Sequence, residues 1–349
     1  MPDDSISIAN VRPLIILGGG ERADLTAAVQ GLVVQLPANG RGHAELTLVN
    51  WGRRDDETGF QWLDIALGDS LAIAFLESGS RVFEGEITAI EERYGAGAPR
   101  LVLLVEDPLH RLAKRRRSRM FEDQSADDVL NALAGDHNLQ ADVSVSTTTS
   151  RWHQLNETDL NFMQRLCAPW AVSVRIVDGR LRIRADEDDP APVEVSPQVN
   201  ADEIRIIADL NHQAPSSGLR GWDFASGDPI EDESYQLQPA ADGETASDLL
   251  SSLGWGEAEW LAPPLPHNAD QARDWAAAAF ARQAGRFLYG ELLLRGDPAL
   301  HPGGEINLSQ VSPRLQGRYR LTQVQHRFDA ENGFVSHCRV ARPAWNSNA

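Results

Sequence analysis

The chain has 349 residues, of which 42% are hydrophobic and nine are tryptophan, and its formal net charge is −19. This length and apolar content support two or three domains with cores of their own and exclude a disordered chain. The acidity argues against a dedicated nucleic-acid binder, because neutralising phosphate groups requires a basic surface.

Residues 1–107 have the pattern of an all-β domain. Short apolar runs are separated by glycine, proline, asparagine and aspartate, which favours a barrel or sandwich of many short strands. A polar segment from Arg53 to Gly59 interrupts them and is predicted to be an extended loop. The predicted strands cover residues 11–17, 28–36, 44–49, 63–66, 70–76, 83–90 and 101–105.

Residues 108–200 are predicted to form a smaller α/β domain that begins with a helix. Asp107 suits the N-cap of that helix and Pro108 its first position. The basic run from Lys114 to Arg119 would then fall in the last turns of the helix, where the dipole favours cations.

Two more helices and a hairpin are predicted in this middle domain. Ser125 with Asp128 three residues later predicts a capped helix, and the Asn-Glu-Thr-Asp run at 156–159 predicts another. Asp178 and Gly179 stand between two alternating runs, which indicates a hairpin with a type I′ turn. The acidic, proline-rich stretch at 185–203 is predicted to be a linker.

Residues 201–349 are predicted to form a second β domain with one long helix. The segment 226–248 is acidic and polar, which favours a long loop, and prolines at 263, 264 and 266 mark a break. The helix is predicted over residues 269–287, capped by Asn268 with Gln271 at the capping-box position. Strands follow at 290–295, 305–309, 319–328 and 334–340, the last after an Asn332-Gly333 turn.

Four segments, in this order, resemble the baseplate hub proteins of contractile phage tails (the late control D family) and the hub part of VgrG spike proteins. The first is VFEGEITAIE with LVLLVEDPLHRLAKRRRSRMF, and the second is the pair of helices with the Asp178-Gly179 hairpin. The third is LRGWDFASGDPI, with Gly221, Trp222 and Asp223. The fourth is the Asn268 helix with GELLLRGDPALHPGGEINLS and YRLTQVQHRFDAENGFVSHCRV.

The resemblance implies an α+β, mainly β fold with two tube-protein-like β-barrel domains, an α/β domain between them and a helix packed on the second barrel. It also implies a homotrimer, whose six barrels would join a sixfold inner tube to a threefold spike. The implied partners are the inner tube protein, a separate spike protein and baseplate wedge proteins. The chain lacks the long β-helical repeat of VgrG, so we expect the spike to be a different protein.

The candidate interface residues form two charged groups. The first group, predicted to contact the tube, consists of Arg53, Arg54, Asp55 and Asp56. The second, predicted to contact a neighbouring subunit, consists of Arg115, Arg116 and Arg117. The alternative interpretation of this second, basic group is a solvated helix end that pairs with acidic neighbours.

We predict no catalytic, cofactor or metal site. Asp186–Asp189 are consecutive and precede a proline, unlike a calcium loop, and Gly18–Gly20 lack the phosphate-loop pattern. Cys167 and Cys338 form no disulfide framework or metal set. His326 is interpreted as a packing or hydrogen-bonding residue.

The sequence leaves two rival functions open. Carboxylate pairs such as Glu157 with Asp159, or Glu91 with Glu92, suggest a tail-associated peptidoglycan hydrolase, but glycosidase chemistry needs two carboxyls across a cleft. The other rival is a carbohydrate- or receptor-binding tail module. The first ten residues lack the regions of a signal peptide, and no apolar run approaches the ~20 residues that span a bilayer. We therefore expect assembly in the cytoplasm, without membrane insertion, and then a place in the tail particle.

Overall fold

The computed structural model describes residues 12–54, 57–75, 81–145, 147, 149–184, 191–223, 226–238, 240–261 and 265–346. The chain is mainly β, as the sequence predicts. Within these ranges, no helix has both the length and the apolar character needed to cross a membrane.

In its described residues, the N-terminal region contains nine strands and one short helix. The sequence pattern did not indicate the helix. The strand predicted at 63–66 is wrong. Backbone N–H groups there donate to side chains instead of to a neighbouring strand. Asn50 Oδ1 accepts from the N–H groups of Gln61 and Trp62, and Asp69 Oδ2 accepts from that of Ala66. The elements are β1 (Leu14–Leu17), β2 (Gly20–Glu21), α1 (Ala23–Ala28), β3 (Val29–Pro37), β4 (His43–Val49), β5 (Gly52–Arg54), β6 (Glu57–Gly59), β7 (Ser70–Ala74), β8 (Arg81–Arg93) and β9 (Arg100–Glu106).

The middle region combines three helices with two small sheets. Its α3 starts at the predicted capping box, in which Ser125 and Asp128 bond to each other's backbone N–H. The predicted Asp178-Gly179 hairpin is also confirmed, with φ of 49° and 74° at the two turn residues. The elements are α2 (Leu109–Leu112), β10 (Arg116–Gln124), α3 (Ala126–Gly135), β11 (Ala141–Val143), β12 (Ser150–Thr158), α4 (Asp159–Cys167), β13 (Arg175–Val177) and β14 (Arg180–Ile183).

Helix α2 is a single turn, so the prediction of a long helix that includes the basic run is wrong. Asp107 does start it, because its Oδ1 accepts from the Leu109 N–H at 3.0 Å while its Oδ2 accepts from Gly42 at 2.5 Å. Burial raises the pKa of Asp107 to about 7, and the two backbone hydrogen bonds oppose that rise. From Arg116 the chain is a strand, because it pairs with β12 instead of continuing the helix.

The C-terminal region holds the remaining elements. The predicted loop at 226–248 is wrong in part, because it contains β18 and the start of a capped helix, α5. Residues 185–190 of the predicted linker and the prolines at 263 and 264 lie outside the described residues. The elements are β15 (Val193–Val195), β16 (Ala201–Ala208), β17 (Ser217–Asp223), β18 (Asp228–Ser234), β19 (Glu244–Thr245), α5 (Ala246–Leu253), β20 (Glu259–Leu261), α6 (Ala269–Ala284), β21 (Leu288–Arg295), β22 (Glu305–Leu308), β23 (Gly317–Asp329), β24 (Gly333–Arg342) and β25 (Ala344–Trp345).

Helix α6 begins where the sequence predicts, since Asn268 Oδ1 accepts from the Gln271 N–H at 2.9 Å. It packs mainly against β17 and β18, which belong to the small sheet β18-β17-β20. Trp275 on its buried face meets the ring of Trp170 at 5.4 Å between centroids. The helix therefore connects this small sheet to the middle region, whereas the sequence interpretation packed it on a barrel.

One 13-stranded sheet runs through both β regions. Its order is β16-β21-β24-β23-β3-β4-β9-β8-β7-β1-β2, and β22 with β15 branch from β23. The branch exists because β23 is long enough for two partners: residues 317–320 pair with β22 and residues 323–329 pair with β3. Within the described residues the pairings do not close either barrel, so the prediction of two barrels is not confirmed.

The three largest hydrophobic clusters of the described residues lie in the N-terminal, middle and C-terminal regions. The N-terminal cluster also includes Phe328 and Phe334 of the last two long strands. Phe334 stacks on Phe75 with ring centroids 3.6 Å apart and planes at 4°. The first and last parts of the chain therefore share apolar packing as well as strand pairing.

His326 on β23 is fully buried near this junction. Its Nδ1 lies 2.9 Å from Ser336 Oγ and its Nε2 3.1 Å from the Leu300 carbonyl oxygen. A carbonyl only accepts, so Nε2 carries the proton and the neutral ring is fully bonded. Burial lowers the pKa of His326 from 6.5 to about 4, and the bond to Leu300 opposes that shift.

This burial predicts acid destabilisation at His326. The unfolded chain takes up a proton below pH 6.5 and the folded chain only near pH 4, so folding loses about 3 kcal/mol as pH falls through that interval. We expect the His326→Gln variant to be less stable than wild type at pH 7.5 and the difference to shrink by about that amount at pH 4. Denaturant unfolding at both pH values measures this. A difference that does not change with pH would contradict it.

Candidate assembly surfaces

The charged segment predicted as an extended loop is instead a β-hairpin. Arg53 pairs with Thr58 and Arg54 with Glu57 in antiparallel register. The side chain of Arg53 is exposed. Asp55 and Asp56, the other predicted interface residues of this segment, lie outside the described residues. The contact to a tube stays a prediction.

An exposed aromatic cluster lies at the base of this hairpin. Trp51 and Phe60 flank its two strands and meet edge to face at 5.2 Å, and Phe60 meets Tyr94 at 6.2 Å. The three side chains are 42%, 37% and 63% exposed. Aromatic pairs stabilise neighbouring strands, and exposed aromatic residues are enriched at interfaces. In the sequence, Trp51 and Phe60 stand directly on either side of residues 52–59, a signal that could have indicated this pair, whereas Tyr94 is distant along the chain.

The basic run is used partly inside its own chain. Arg117 Nη1 forms an ion pair with Asp136 at 3.2 Å, and Arg116 Nη1 donates to the Asn156 carbonyl at 2.9 Å. Arg115 is exposed and makes no hydrogen bond or ion pair with any residue that the structure describes. Of the three arginines predicted to contact another subunit, Arg115 is the one for which the described residues provide no hydrogen-bond or ion-pair partner.

Asp159, considered in the sequence as a catalytic acid, is the centre of a buried ionic network. It is 1% exposed and accepts from Arg119 Nη2 at 2.7 Å, Gln154 Nε2 at 2.8 Å and His137 Nε2 at 2.8 Å. Burial raises the pKa of Asp159, but hydrogen bonds from His137 and Gln154 and the arginine charges outweigh it, so the net shift is downward. The network holds the start of α4 against the β10–β12 pair.

Two of the other candidate acids are paired with arginines, and the third, Glu92, accepts from the Tyr94 hydroxyl. Glu157 binds Arg165 at 2.6 Å, and Glu91 binds Arg93 at 2.8 Å. Glu157 and Glu91 are thus each paired with a cation of their own chain, whereas glycoside hydrolysis uses two carboxyls that face one another across a cleft. No group of three or more His, Cys, Asp or Glu side chains in the described ranges could hold a metal ion.

A cavity of about 740 Å³ lies between α6 and the main sheet. All three of its acids are engaged: Glu291 pairs with Arg339 at 3.2 Å, Glu259 accepts from Gln283 at 2.7 Å, and Asp209 accepts from the Asn211 N–H at 2.8 Å. The cavity therefore presents cations more than convergent acids. Its charged lining residues are Arg205, Arg282, Arg286, Arg339, Asp209, Glu259 and Glu291.

One family model covers most of the chain. The family model described as the Alg8 N-terminal domain matches residues 15–330. The chain belongs to the Alg8 N-terminal domain family. No curated protein matches this member of the family.

Solved structures place this Alg8 N-terminal domain protein among tail-protein folds. The 43 kDa tail protein of prophage MuSo2 from Shewanella oneidensis is similar, with a TM-score of 0.72, 13% identity and coverage of 95% of this chain and 98% of that one. A tail protein from Neisseria meningitidis MC58 is also similar, with a TM-score of 0.71, 11% identity and coverage of 95% of this chain and 97% of that one.

A third similar structure belongs to a secretion system. An Escherichia coli component of the type VI secretion system, described as similar to bacteriophage T4 tail proteins, gives a TM-score of 0.61 with 10% identity and covers 92% of this chain and 76% of that one. At these identities the likeness establishes the fold of the Alg8 N-terminal domain protein.

Proposed function

We propose that this protein is a structural, non-catalytic subunit of a phage tail or related injection apparatus, and that it acts there as the baseplate hub. Three copies would form a ring that joins a sixfold inner tube to a threefold spike, with baseplate wedge proteins around it. The protein would assemble in the cytoplasm and then become part of the tail particle.

The observation that carries this proposal is the tail-protein fold over nearly the whole chain. The single sheet supports it, because each chain contributes two fused β regions, residues 1–107 and 201–349, with the middle region set between them. Three such chains would supply six β regions to a ring, which is the number a sixfold tube requires. The two regions would correspond to the two tube-like barrels implied by the sequence resemblance, each completed in the assembled ring.

The hairpin β5–β6 is the proposed contact to the tube. It carries the exposed Arg53 and has the aromatic cluster of Trp51, Phe60 and Tyr94 at its base. Buried aromatic anchors with a charged rim are the usual composition of a strong protein interface. Arg115 is the proposed contact to a neighbouring copy, since its charge is unused within the described chain.

The trimer is tested by the mass of the purified protein in solution. With 38.3 kDa per chain, light scattering after gel filtration should give about 115 kDa for three copies. Electron micrographs of the same sample should show rings with threefold symmetry. A mass that stays at one chain across micromolar concentrations would contradict the hub proposal.

A further inference from the structure

The second β region has an open side. Among the described residues, β16 pairs only with β21, and β15 pairs only with β22. A groove of about 420 Å³ lies between β16 and β22. An unpaired strand edge beside an apolar groove is the geometry to which an extended segment adds, through main-chain hydrogen bonds and alternate side chains. The apolar lining consists of Ile204, Ile206, Leu308, Val311 and Leu315.

At the other end of the main sheet, the outer edge of β1 is already occupied. The Ile15 N–H donates to Thr26 Oγ1 at 3.1 Å, and its carbonyl oxygen accepts from the Arg22 N–H at 2.9 Å. Leu17 pairs with Gly20 of β2. The chain that precedes β1 therefore finds no continuous free edge along β1.

The sequence before β1 contains a short strand pattern. Residues 5–8 are Ser-Ile-Ser-Ile, so alternate side chains would form one apolar and one polar face in an extended conformation. We propose that Ser5–Ile8 of one copy adds as a strand to the free edge of β16 in a neighbouring copy, with Ile6 and Ile8 in the groove. This inference rests on the proposed function, because it requires neighbouring copies.

Length favours a neighbouring copy over the same copy. Only residues 9–13 connect the segment to β1, and five extended residues span at most about 17 Å. In the strand order of the main sheet, β1 and β16 are nine steps apart, which is about 43 Å along the sheet. The five connecting residues are therefore much shorter than the distance along the sheet to the groove of the same copy. In copies placed side by side, the β1 end of one chain would lie near β16 of the next.

Charge sets the direction of the added strand. Asp202 and Glu203 lie at the start of β16, and Arg205, which is exposed, follows them. Asp3 and Asp4 precede the Ser-Ile-Ser-Ile segment. An antiparallel strand with Ile6 opposite Ile206 places Asp4 opposite Ala208 and Asp3 opposite Asp209, beyond the end of β16. A parallel strand with the same pair would place Asp3 opposite Glu203, so the antiparallel direction brings fewer like charges together within the strand.

The test is disulfide formation between copies. Ile6→Cys is made in one tagged chain and Ile206→Cys in a chain with a second tag, and the two are co-expressed and oxidised. We expect a covalent pair that carries both tags. The matched control replaces Ile6→Cys with Ser7→Cys, whose side chain points to the opposite face, and should give several-fold less product. The native Cys167 and Cys338 are buried with pKa values raised to about 12, so they add little background.

A second readout does not depend on engineered cysteines. Deleting residues 2–11 should speed hydrogen exchange of the β16 amides by about tenfold or more while leaving α6 unchanged. The strand proposal is overturned if trimers form without a mixed-tag pair, or if the bond forms only when both cysteines are on one chain. Those results leave the hub proposal standing. A protein that is monomeric by light scattering overturns both, so the two failures are distinguishable.

Discussion

Replacing Asp159 with alanine is expected to lower the free energy of unfolding by about 3–5 kcal/mol, because it leaves the partly buried Arg119 cation without its anion and removes the acceptor of His137 and Gln154. Arg119 is 26% and His137 14% exposed at the side chain, and both point at this carboxylate. The change also removes an acidic residue from the first turn of α4, where it favours the helix dipole. Guanidinium-induced unfolding of the purified protein measures the effect.

Asp136 provides the matched control. Its carboxylate binds Arg117 and Arg119 as Asp159 does, but its side chain is 41% exposed. The Asp136→Ala variant should therefore lose less than about 1 kcal/mol, since water replaces the lost partner. Equal losses in the two variants would mean that burial of Asp159 is not the source of its effect.

The same network gives a pH dependence with a defined sign. The net downward shift of the Asp159 pKa means that the folded chain holds the carboxylate ionised to lower pH than the unfolded chain does. Its stabilisation is therefore complete above the ordinary carboxyl pKa and is lost as pH falls through the lowered value. The Asp159→Ala variant should approach wild-type stability only in that acidic range.

Local signals in the sequence were sufficient for the elements that depend on neighbours in the chain. Capping by Ser125 and Asn268 and the Asp178-Gly179 turn each need only residues within four positions, and all three are present in the structure. The start of α5 had the same kind of signal, since Thr245 and Asp248 form a capping box. It was missed because the acidic composition around it favoured a loop.

The elements that failed depend on distant partners. The basic run satisfies a helix rule locally, but Arg119 binds Asp159, forty residues away, and the strand pairing with β12 decides the conformation. Strands β3 and β23 pair with Val34 opposite His326, and no local sequence signal near either residue indicates that pairing. Fusion of the two β regions into one sheet was therefore not predictable from periodicity.

Replacing Phe334 with alanine is expected to cost about 3–5 kcal/mol, the range for truncating a fully buried aromatic side chain. Its ring is 0% exposed and stacks on Phe75, which is 1% exposed. A leucine at 334 fills part of the space and should cost less. Thermal and denaturant unfolding of the two variants gives the comparison.

This change should also weaken the coupling between the two β regions, because Phe75 follows β7 in the first region and Phe334 is the second residue of β24 in the last. In a double-mutant cycle with Phe75→Ala, we expect an interaction energy of about 0.5–1.5 kcal/mol, the range for stacked aromatic pairs. Additive losses would show that the rings do not act as a pair.

Gly296→Ala tests the same contact from the other side, because a Cβ there would lie 2.1 Å from the Phe334 ring. That ring cannot yield without disturbing Phe75, so the added methyl should destabilise the protein by at least about 1–3 kcal/mol.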